Sequence, residues 1–231
     1  MKWRSREPSR LEGFSDAVFG FALTLLVVSL EAPRTFDELA LVVRGFLPFA
    51  VTFALVAWIW YEHYAFFRLF DPDDRITIVL NFVLLFVVLF YVYPLKFLFS
   101  LVVGLMLGEA SFAAAYSRPG QGTSLMLIYG IGFIVVWTVL GLMYLNVLRQ
   151  RAAMRLTQLE VFEARAGAIY HAATVAVGVL SILIVAIGGD RAAAWSGISY
   201  ALLGPVHGVV GAALGIRRSR FQAQADADPV S

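Results

Sequence analysis

The sequence predicts an all-α membrane protein with six transmembrane helices, on two observations. Apolar residues make up 60% of the 231 and charged residues only 15%, which is more apolar surface than one soluble core of this size can bury. Six stretches are long enough, at about 1.5 Å per residue, to cross about 30 Å of hydrocarbon. Cysteine is absent, which excludes disulfides, thiolate catalysis and cysteine-based metal sites. The net charge of +2 is too small to indicate nucleic acid as a partner.

The apolar stretches give the expected helix boundaries. The spans are expected near residues 11–31, 46–67, 76–100, 124–147, 166–189 and 193–215. The third stays apolar past Pro94 to about residue 107, which indicates one long kinked helix, or a span with an interfacial extension. Residues 108–123 form the only long outer loop, and the charged segment 149–165 is expected to extend spans four and five. Residues 1–220 are then one six-helix domain, and the small, polar residues 221–231 a disordered tail.

Lysine and arginine in the short loops predict the orientation of the chain. They are concentrated before the first span, between spans four and five, and after the sixth, whereas each loop on the opposite side carries only one or two. Both termini are therefore expected in the cytoplasm, and the protein in the cell membrane as a multi-pass protein. The residues that produce this bias are Lys2, Arg4, Arg6, Arg10, Arg149, Arg151, Arg155, Arg165, Arg217, Arg218 and Arg220.

The first span carries an acid, Asp16, in its apolar run. An ionisable group at such depth costs roughly 2.5–3.5 kcal/mol on insertion scales. Asp16 is therefore expected to face water or a partner inside the protein. Arg10 lies about 240° away around the same helix, so the two cannot pair within it. Each is expected to find a partner on another helix or in another subunit.

Two stripes of side chains run along the first span. Small residues, at which another helix can approach closely, are Gly13, Ala17, Gly20 and Thr24. Beside them lie Phe21, Leu25 and Val28. If several copies of this helix met at a symmetry axis, the apolar stripe would form stacked rings that gate ions by dewetting. The alternative is ordinary packing in a bundle, with the Thr24 hydroxyl bonded back to the carbonyl of Gly20.

Polar residues of spans two and three lie at the same predicted depth as Asp16. Glu62 and His63 end the second span and Asn81 begins the third, so all are expected to converge with Asp16 at the cytoplasmic side. A single Glu-His step is no metal site, because further ligands at suitable spacing are missing. The alternative for His63 is an interfacial hydrogen-bonding role. Motifs for hydrolysis or nucleotide binding are absent from the sequence, so no catalytic residue, metal or cofactor is expected.

The start of the first span resembles a family signature. The pattern Arg-x-x-x-Phe-Ser-Asp at residues 10–16 is similar to that of the transmembrane-protein-175 family of potassium channels. The Trp-x-x-His step in span two, the early asparagine in span three and the proline near its end also resemble that family. The order of the spans agrees over the whole chain, whereas motif matching is confined to spans one to three. The motif residues are Arg10, Phe14, Ser15, Asp16, Trp60, His63 and Asn81.

The resemblance implies a homotetramer around a fourfold axis, with the first span of each subunit lining the pore. It also implies that apolar residues, rather than a carbonyl filter, form the constriction. The family's constriction position falls on Phe21, where members usually carry isoleucine or leucine, and a pore-facing threonine position falls on Thr24. Leu25 lies on the same lining and Val28 further out. Glu62 stands where the family often has asparagine.

The leading prediction is therefore a potassium-permeable cation channel, not an enzyme. Its expected partners are the potassium ion, the lipid bilayer and other copies of the chain. Proton permeation is a further expected property of this channel. One alternative is a secondary transporter that uses Asp16 and His63 as a proton relay. Another is a non-conducting membrane scaffold, in which the stripe of small residues only mediates assembly.

Overall fold

The computed structural model describes residues 7–28, 34–106, 108 and 118–227, and its regular structure there is entirely helical. The all-α class is confirmed. In chain order the helices are α1 (Arg10–Val28), α2 (Phe36–Arg44), α3 (Phe46–Phe70), α4 (Arg75–Met106), α5 (Gln121–Arg149), α6 (Gln158–Gly188), α7 (Ala193–Ile198) and α8 (Leu203–Ala227). Short 3₁₀ turns, Gly189–Ala192 and Ser199–Leu202, flank α7.

Four stretches of the described chain are long and apolar enough to cross a membrane. They are α3, α4, α5 and the run Gln158–Ser219, which extends from α6 into α8. The 19 residues of α1 include the ionisable side chains of Arg10, Glu12 and Asp16. The chain is thus a multi-pass membrane protein, and the count of six crossings stays a prediction.

The third predicted span is one continuous helix. α4 runs through Pro94 to Met106 without interruption. Two tyrosines fasten it to α5 at this level: the Tyr91 hydroxyl donates to the carbonyl of Tyr129 over 2.8 Å, and the Tyr129 hydroxyl donates to the carbonyl of Pro94. Neighbouring side chains therefore support the helix at the position where proline removes a backbone donor.

The structure corrects the sixth predicted span, 193–215, which is broken at the 3₁₀ turn Ser199–Leu202. Serine hydroxyls explain the break, because they bond backbone carbonyls that a regular helix uses internally. Ser199 Oγ donates to the carbonyl of Ser196 over 2.7 Å, and Ser181 Oγ of α6 donates to the same carbonyl over 3.0 Å. These bonds also pin α7 to α6.

Two further segments differ from their expected form. α2 occupies a stretch expected to be loop, and its start is stabilised by Thr35, whose Oγ1 accepts from the N–H of Glu38 over 3.2 Å. α8 continues to Ala227, into the segment 221–231 expected to be disordered, because alanine and glutamine there favour helix. Residues 228–231 lie outside the described part of the chain.

Glycine allows α5 and α6 to approach closely. A Cβ built on Gly167 of α6 would stand 2.2 Å from Cε1 of Tyr144 on α5, closer than two atoms can approach. The Tyr144 ring also makes T-shaped contacts with the buried rings of Phe66 and Phe70 on α3. α1 then packs on α3 and α4, burying Phe19. These contacts place one face of α1 against its own subunit and leave the other exposed.

Candidate functional site

A capping box positions the polar residues of α1. The backbone N–H of Ser9 donates to Glu12 Oε2 over 2.7 Å, and the N–H of Glu12 donates to Ser9 Oγ over 3.2 Å. This reciprocal arrangement satisfies orphan donors and fixes where the helix begins. Glu12 is buried in the process, with 4% of its surface exposed. The start of α1 thereby sets the rotation at which Ser15 and Asp16 emerge.

A buried chain of hydrogen bonds joins α1, α4 and α3. Ser15 Oγ donates to the carbonyl of Leu11 over 2.8 Å and accepts from Asn81 Nδ2 over 2.9 Å. Asn81 Oδ1 lies 2.8 Å from His63 Nε2. Because an amide oxygen only accepts, His63 carries its proton on Nε2. Asn81 thus uses both ends of its amide to hold the three helices in register.

Asp16 forms a separate branch of this site. Trp60 Nε1 donates to Asp16 Oδ1 over 2.8 Å, and the Trp60 ring stacks on Tyr64 with centroids 5.5 Å apart. Asp16 is otherwise exposed, and no bond in the described chain connects it to His63. Arg10 is also exposed and makes no hydrogen bond or ion pair with any described residue. The structure therefore brings the motif residues together, with Arg10 outside the bonded groups.

Glu62 faces a different part of the bundle, so its expected place beside Asp16 is wrong. Its carboxylate accepts from Trp58 Nε1 over 3.1 Å and interacts electrostatically with tyrosines of α5 and α6. Adjacent residues on a helix point about 100° apart. Because His63 faces α1 and α4, Glu62 is directed towards α5 and α6. Phe14, the remaining motif residue, is half-exposed and packs on Phe82 of α4.

Two of the four predicted pore residues, Phe21 and Thr24, lie on the exposed side of α1. Phe21 is 58% exposed, and Thr24 beside it is exposed too. The Thr24 hydroxyl donates to the carbonyl of Phe21 over 2.7 Å, rather than to Gly20 as the packing alternative expects. Leu25 is half-buried. The side chain of Val28 lies outside the described residues.

The stripe of small residues has no packing partner among the described residues of its own chain. A Cβ added at Gly13 or Gly20 would meet no described atom within 4 Å. Ala17, between them, is exposed. One face of α1 is therefore open along the same side as Phe21 and Thr24.

Asp74 joins the start of α4 to the end of α5. This residue caps α4, accepting from the N–H of Thr77 over 3.2 Å, and Asn146 Nδ2 of α5 donates to it over 3.0 Å. Burial alone would raise the pKa of Asp74, but hydrogen bonds from Thr77, Gln150 and Asn146 outweigh that effect and lower the pKa to about 2. The carboxylate is therefore ionised when it holds these helices together.

Sequence reasoning missed a polar cluster on α6 and α8. His207 of α8 contacts Tyr170 and Thr174 of α6 through both ring nitrogens. The available signal was the presence of tyrosine and histidine within apolar spans, which is costly without partners. Elsewhere, within the ranges that the structure describes, no three histidine, aspartate or glutamate side chains are grouped to hold a metal ion.

The fold and this site define an all-helical, multi-pass membrane protein whose first helix carries a polar signature and an open apolar face. The family model for the endosomal/lysosomal potassium channel TMEM175 matches residues 10–91. A protein of Marivirga tractuosa named as a potassium channel is 37% identical over 220 residues, which cover 90% of this chain and 88% of that relative. The chain belongs to the TMEM175 family, so the resemblance stated from its motifs is confirmed.

Solved structures agree with this assignment. A crystal structure of a variant of the potassium channel MtTMEM175, in complex with a nanobody–MBP fusion, is 35% identical and superposes with a TM-score of 0.82 over 92% of this chain and 96% of that one. A homologue, from Chamaesiphon minutus, of the lysosomal potassium-selective channel TMEM175 is 21% identical with a TM-score of 0.54, over 90% and 96% of the two chains. The second likeness supports the fold alone. These relatives are named as channels, not as enzymes.

Proposed function

We propose that this protein is a potassium-permeable channel, assembled as a homotetramer of six-span subunits, with α1 of each subunit lining the pore. The observation that carries the proposal is the division of α1 into two faces. Ser15, Phe19 and Ala22 are fully buried against the same subunit. Phe21 and Thr24 are exposed, and a Cβ added at Gly20 beside them would meet no described atom within 4 Å. The names of the relatives supply potassium as the ion.

Symmetry follows from this division. α3 and α4 pack on one side of α1. The described helices of the same subunit do not cover its other side, so the walls of a pore there have to come from other subunits. Copies arranged about a closed axis complete such a path without leaving an unmatched face. Gly13 and Gly20 favour this arrangement, because small residues let neighbouring helices approach.

Phe21 is suited to form the constriction. Four phenylalanine rings at one level of an axis make a narrow apolar ring that excludes water when closed. An ion entering it would lose hydration without replacement, which is costly. The described chain offers no carbonyl filter at this face, which leaves the apolar ring as the constriction.

Thr24 favours cations next to this ring. Its single hydroxyl proton is used in the bond to the carbonyl of Phe21. Only the lone pairs of Oγ1 then remain for other partners, and oxygen lone pairs attract cations. Leu25 and Val28 continue the lining towards the outer side in this proposal.

The transporter alternative receives less support. A relay from Asp16 to His63 requires a hydrogen-bonded connection, whereas Asp16 is bonded to Trp60 and His63 to Asn81. The membrane scaffold alternative is consistent with the open face of α1 but gives Phe21 no role. Conduction separates the alternatives directly.

Reconstitution of the full chain into liposomes, together with its native mass in mild detergent, tests the proposal. We expect a tetramer and a potassium flux that needs no coupled ion. A monomer or dimer that still conducts would contradict the role of α1. A requirement for a proton gradient would favour the transporter, and absence of any flux the scaffold.

A further inference from the structure

A second polar cluster lies in the bundle away from α1. Its centre is His207 of α8, whose ring stacks on Tyr170 of α6 with centroids 4.1 Å apart. The Trp58 ring of α3 meets His207 in a T-shaped contact at 5.9 Å. Ionisable residues within membrane helices are costly and usually functional. The pore proposed for α1 leaves these side chains without a role.

The hydrogen bonds fix where the protons of this cluster lie. Thr174 Oγ1 donates its only proton to the carbonyl of Tyr170 over 2.9 Å. Thr174 therefore accepts from His207 Nε2, which lies 2.8 Å away. The lone pair of the neutral ring is then on Nδ1, where it accepts from the Tyr170 hydroxyl over 3.1 Å. His207 thus presents its basic nitrogen to a phenol.

The Trp58 indole connects this cluster to an acid. Trp58 Nε1 donates to Glu62 Oε1 over 3.1 Å, and the same ring contacts His207 and hydrogen-bonds Tyr170. Glu62 also interacts electrostatically with the Tyr170 hydroxyl. An acid, a hydroxyl and an imidazole grouped in this way can accommodate one added proton by reorienting the hydroxyl.

We propose that Glu62, Tyr170 and His207 form a proton-binding site, one in each subunit and separate from α1. A hydronium ion from the solvent transfers its proton to the lone pair of His207 Nδ1 and leaves as water, and the resulting N–H donates to Tyr170 Oη. The Tyr170 hydroxyl turns away from the imidazole and donates towards Glu62. No other bond breaks, and the carboxylate is the counter-charge of the imidazolium.

The surrounding ionisable groups leave Glu62 as that counter-charge. Glu163 of α6 is already paired with Arg218 of α8 at 2.9 Å. His171 is 1% exposed, and both its ring nitrogens lack hydrogen-bond partners among the described residues, so charging it would be costly. The groups facing the site from each helix are Glu62 of α3, Tyr144 of α5, Glu163, Tyr170 and His171 of α6, and Arg218 of α8.

Proton binding at this site affects how firmly α8 is attached to α6. Much of α8 is exposed: a Cβ added at Gly208 or Gly211 would meet no described atom within 4 Å. A protonated His207 keeps both hydrogen bonds and adds a cation–π contact with the stacked Tyr170 ring. Proton binding is therefore expected to attach α8 more firmly to α6.

Histidine-selective ¹⁵N NMR of the full chain in lipid nanodiscs tests the site, because the chain has only 3 histidines. His207→Gln assigns the signal by removing it. We expect His207 to gain a proton between about pH 8 and about pH 5. Glu62→Gln should weaken this binding about tenfold, since it removes the counter-charge. Glu163→Gln removes a carboxylate already paired with Arg218 and is the matched control. It should change the proton affinity of His207 less than about threefold.

The proposal is wrong if His207 stays neutral throughout this range, or if the two glutamate variants act equally. Tyr170→Phe provides a second variant should Glu62→Gln fail to fold: it keeps the stacked ring and removes the hydroxyl. Undiminished proton binding in Tyr170→Phe would also contradict the proposal. Because this readout needs no conduction, its failure is distinguishable from failure of the proposed pore.

Discussion

At the scale of single residues, Asn81 connects three helices of the site through its side-chain amide. It accepts from His63 and donates to Ser15, and all three side chains are almost fully buried. The other ring nitrogen of His63 already lacks a hydrogen-bond partner in the described chain. The imidazole therefore depends on Asn81 for its hydrogen bonding.

Asn81→Leu should destabilise the protein by about 2–3 kcal/mol, because it strands the buried Nε2–H of His63. Thermal unfolding in detergent, followed by intrinsic fluorescence, measures the loss. Val79→Ala is the control on the same helix, since Val79 is 60% exposed. Equal melting temperatures for the two variants would show that the buried bonds contribute little.

At the scale of helices, Asp74 joins the start of α4 to the end of α5. Its pKa of about 2 in the folded protein lies below the usual value near 3.8. The ionised carboxylate therefore contributes stability that is complete above about pH 4 and is lost as the pH falls towards 2. Solvent screening keeps this contribution to about 1 kcal/mol.

Asp74→Asn should consequently lower stability at neutral pH, and the difference from the parent should shrink as the pH approaches 2. Unfolding measured across this pH range tests the sign. The exposed neighbour Asp73, changed to asparagine, serves as the control. A difference for Asp74→Asn that grows on acidification would contradict the capping role.

The close contact between α5 and α6 at Gly167 is a second feature at the scale of helices. Gly167→Ala forces a methyl group against the ring of Tyr144 and should cost about 1–3 kcal/mol. Gly211→Ala on α8 meets no described atom and should be neutral or slightly stabilising through helix propensity. Comparison of the two melting temperatures isolates the packing effect from the helical preference of alanine. Equal effects of both substitutions would mean that the helices are not closely packed at Gly167.

At the scale of the whole molecule, the sequence predicted membrane-spanning helices because the length of an apolar stretch decides whether it can cross a bilayer. Local motifs also led to Ser15, Trp60 and Asn81, since these belong to a short pattern at the start of the spans. Other features depend on the rotation of whole helices. Glu62 was misplaced for this reason, and His207 was missed because its pairing with Tyr170 depends on the turn between α6 and α7.

In the proposed channel, α1 lines the pore and Phe21 forms its constriction. Potassium flux through single tetramers in planar bilayers tests this arrangement most directly. Phe21→Asn should increase flux by wetting the constriction, and Phe21→Ala should increase it to a smaller extent. Val28→Ala, on a wider part of the same face, should do less.

Phe86→Ala on α4 is the matched control, because Phe86 is also exposed, at 72%, but lies on another helix. Flux should rise in the order Phe86→Ala, Phe21→Ala, Phe21→Asn. An increase with Leu25→Asn but not with Phe21→Asn would place the constriction one turn away. Unchanged flux in every α1 variant would show that α1 does not line the pore.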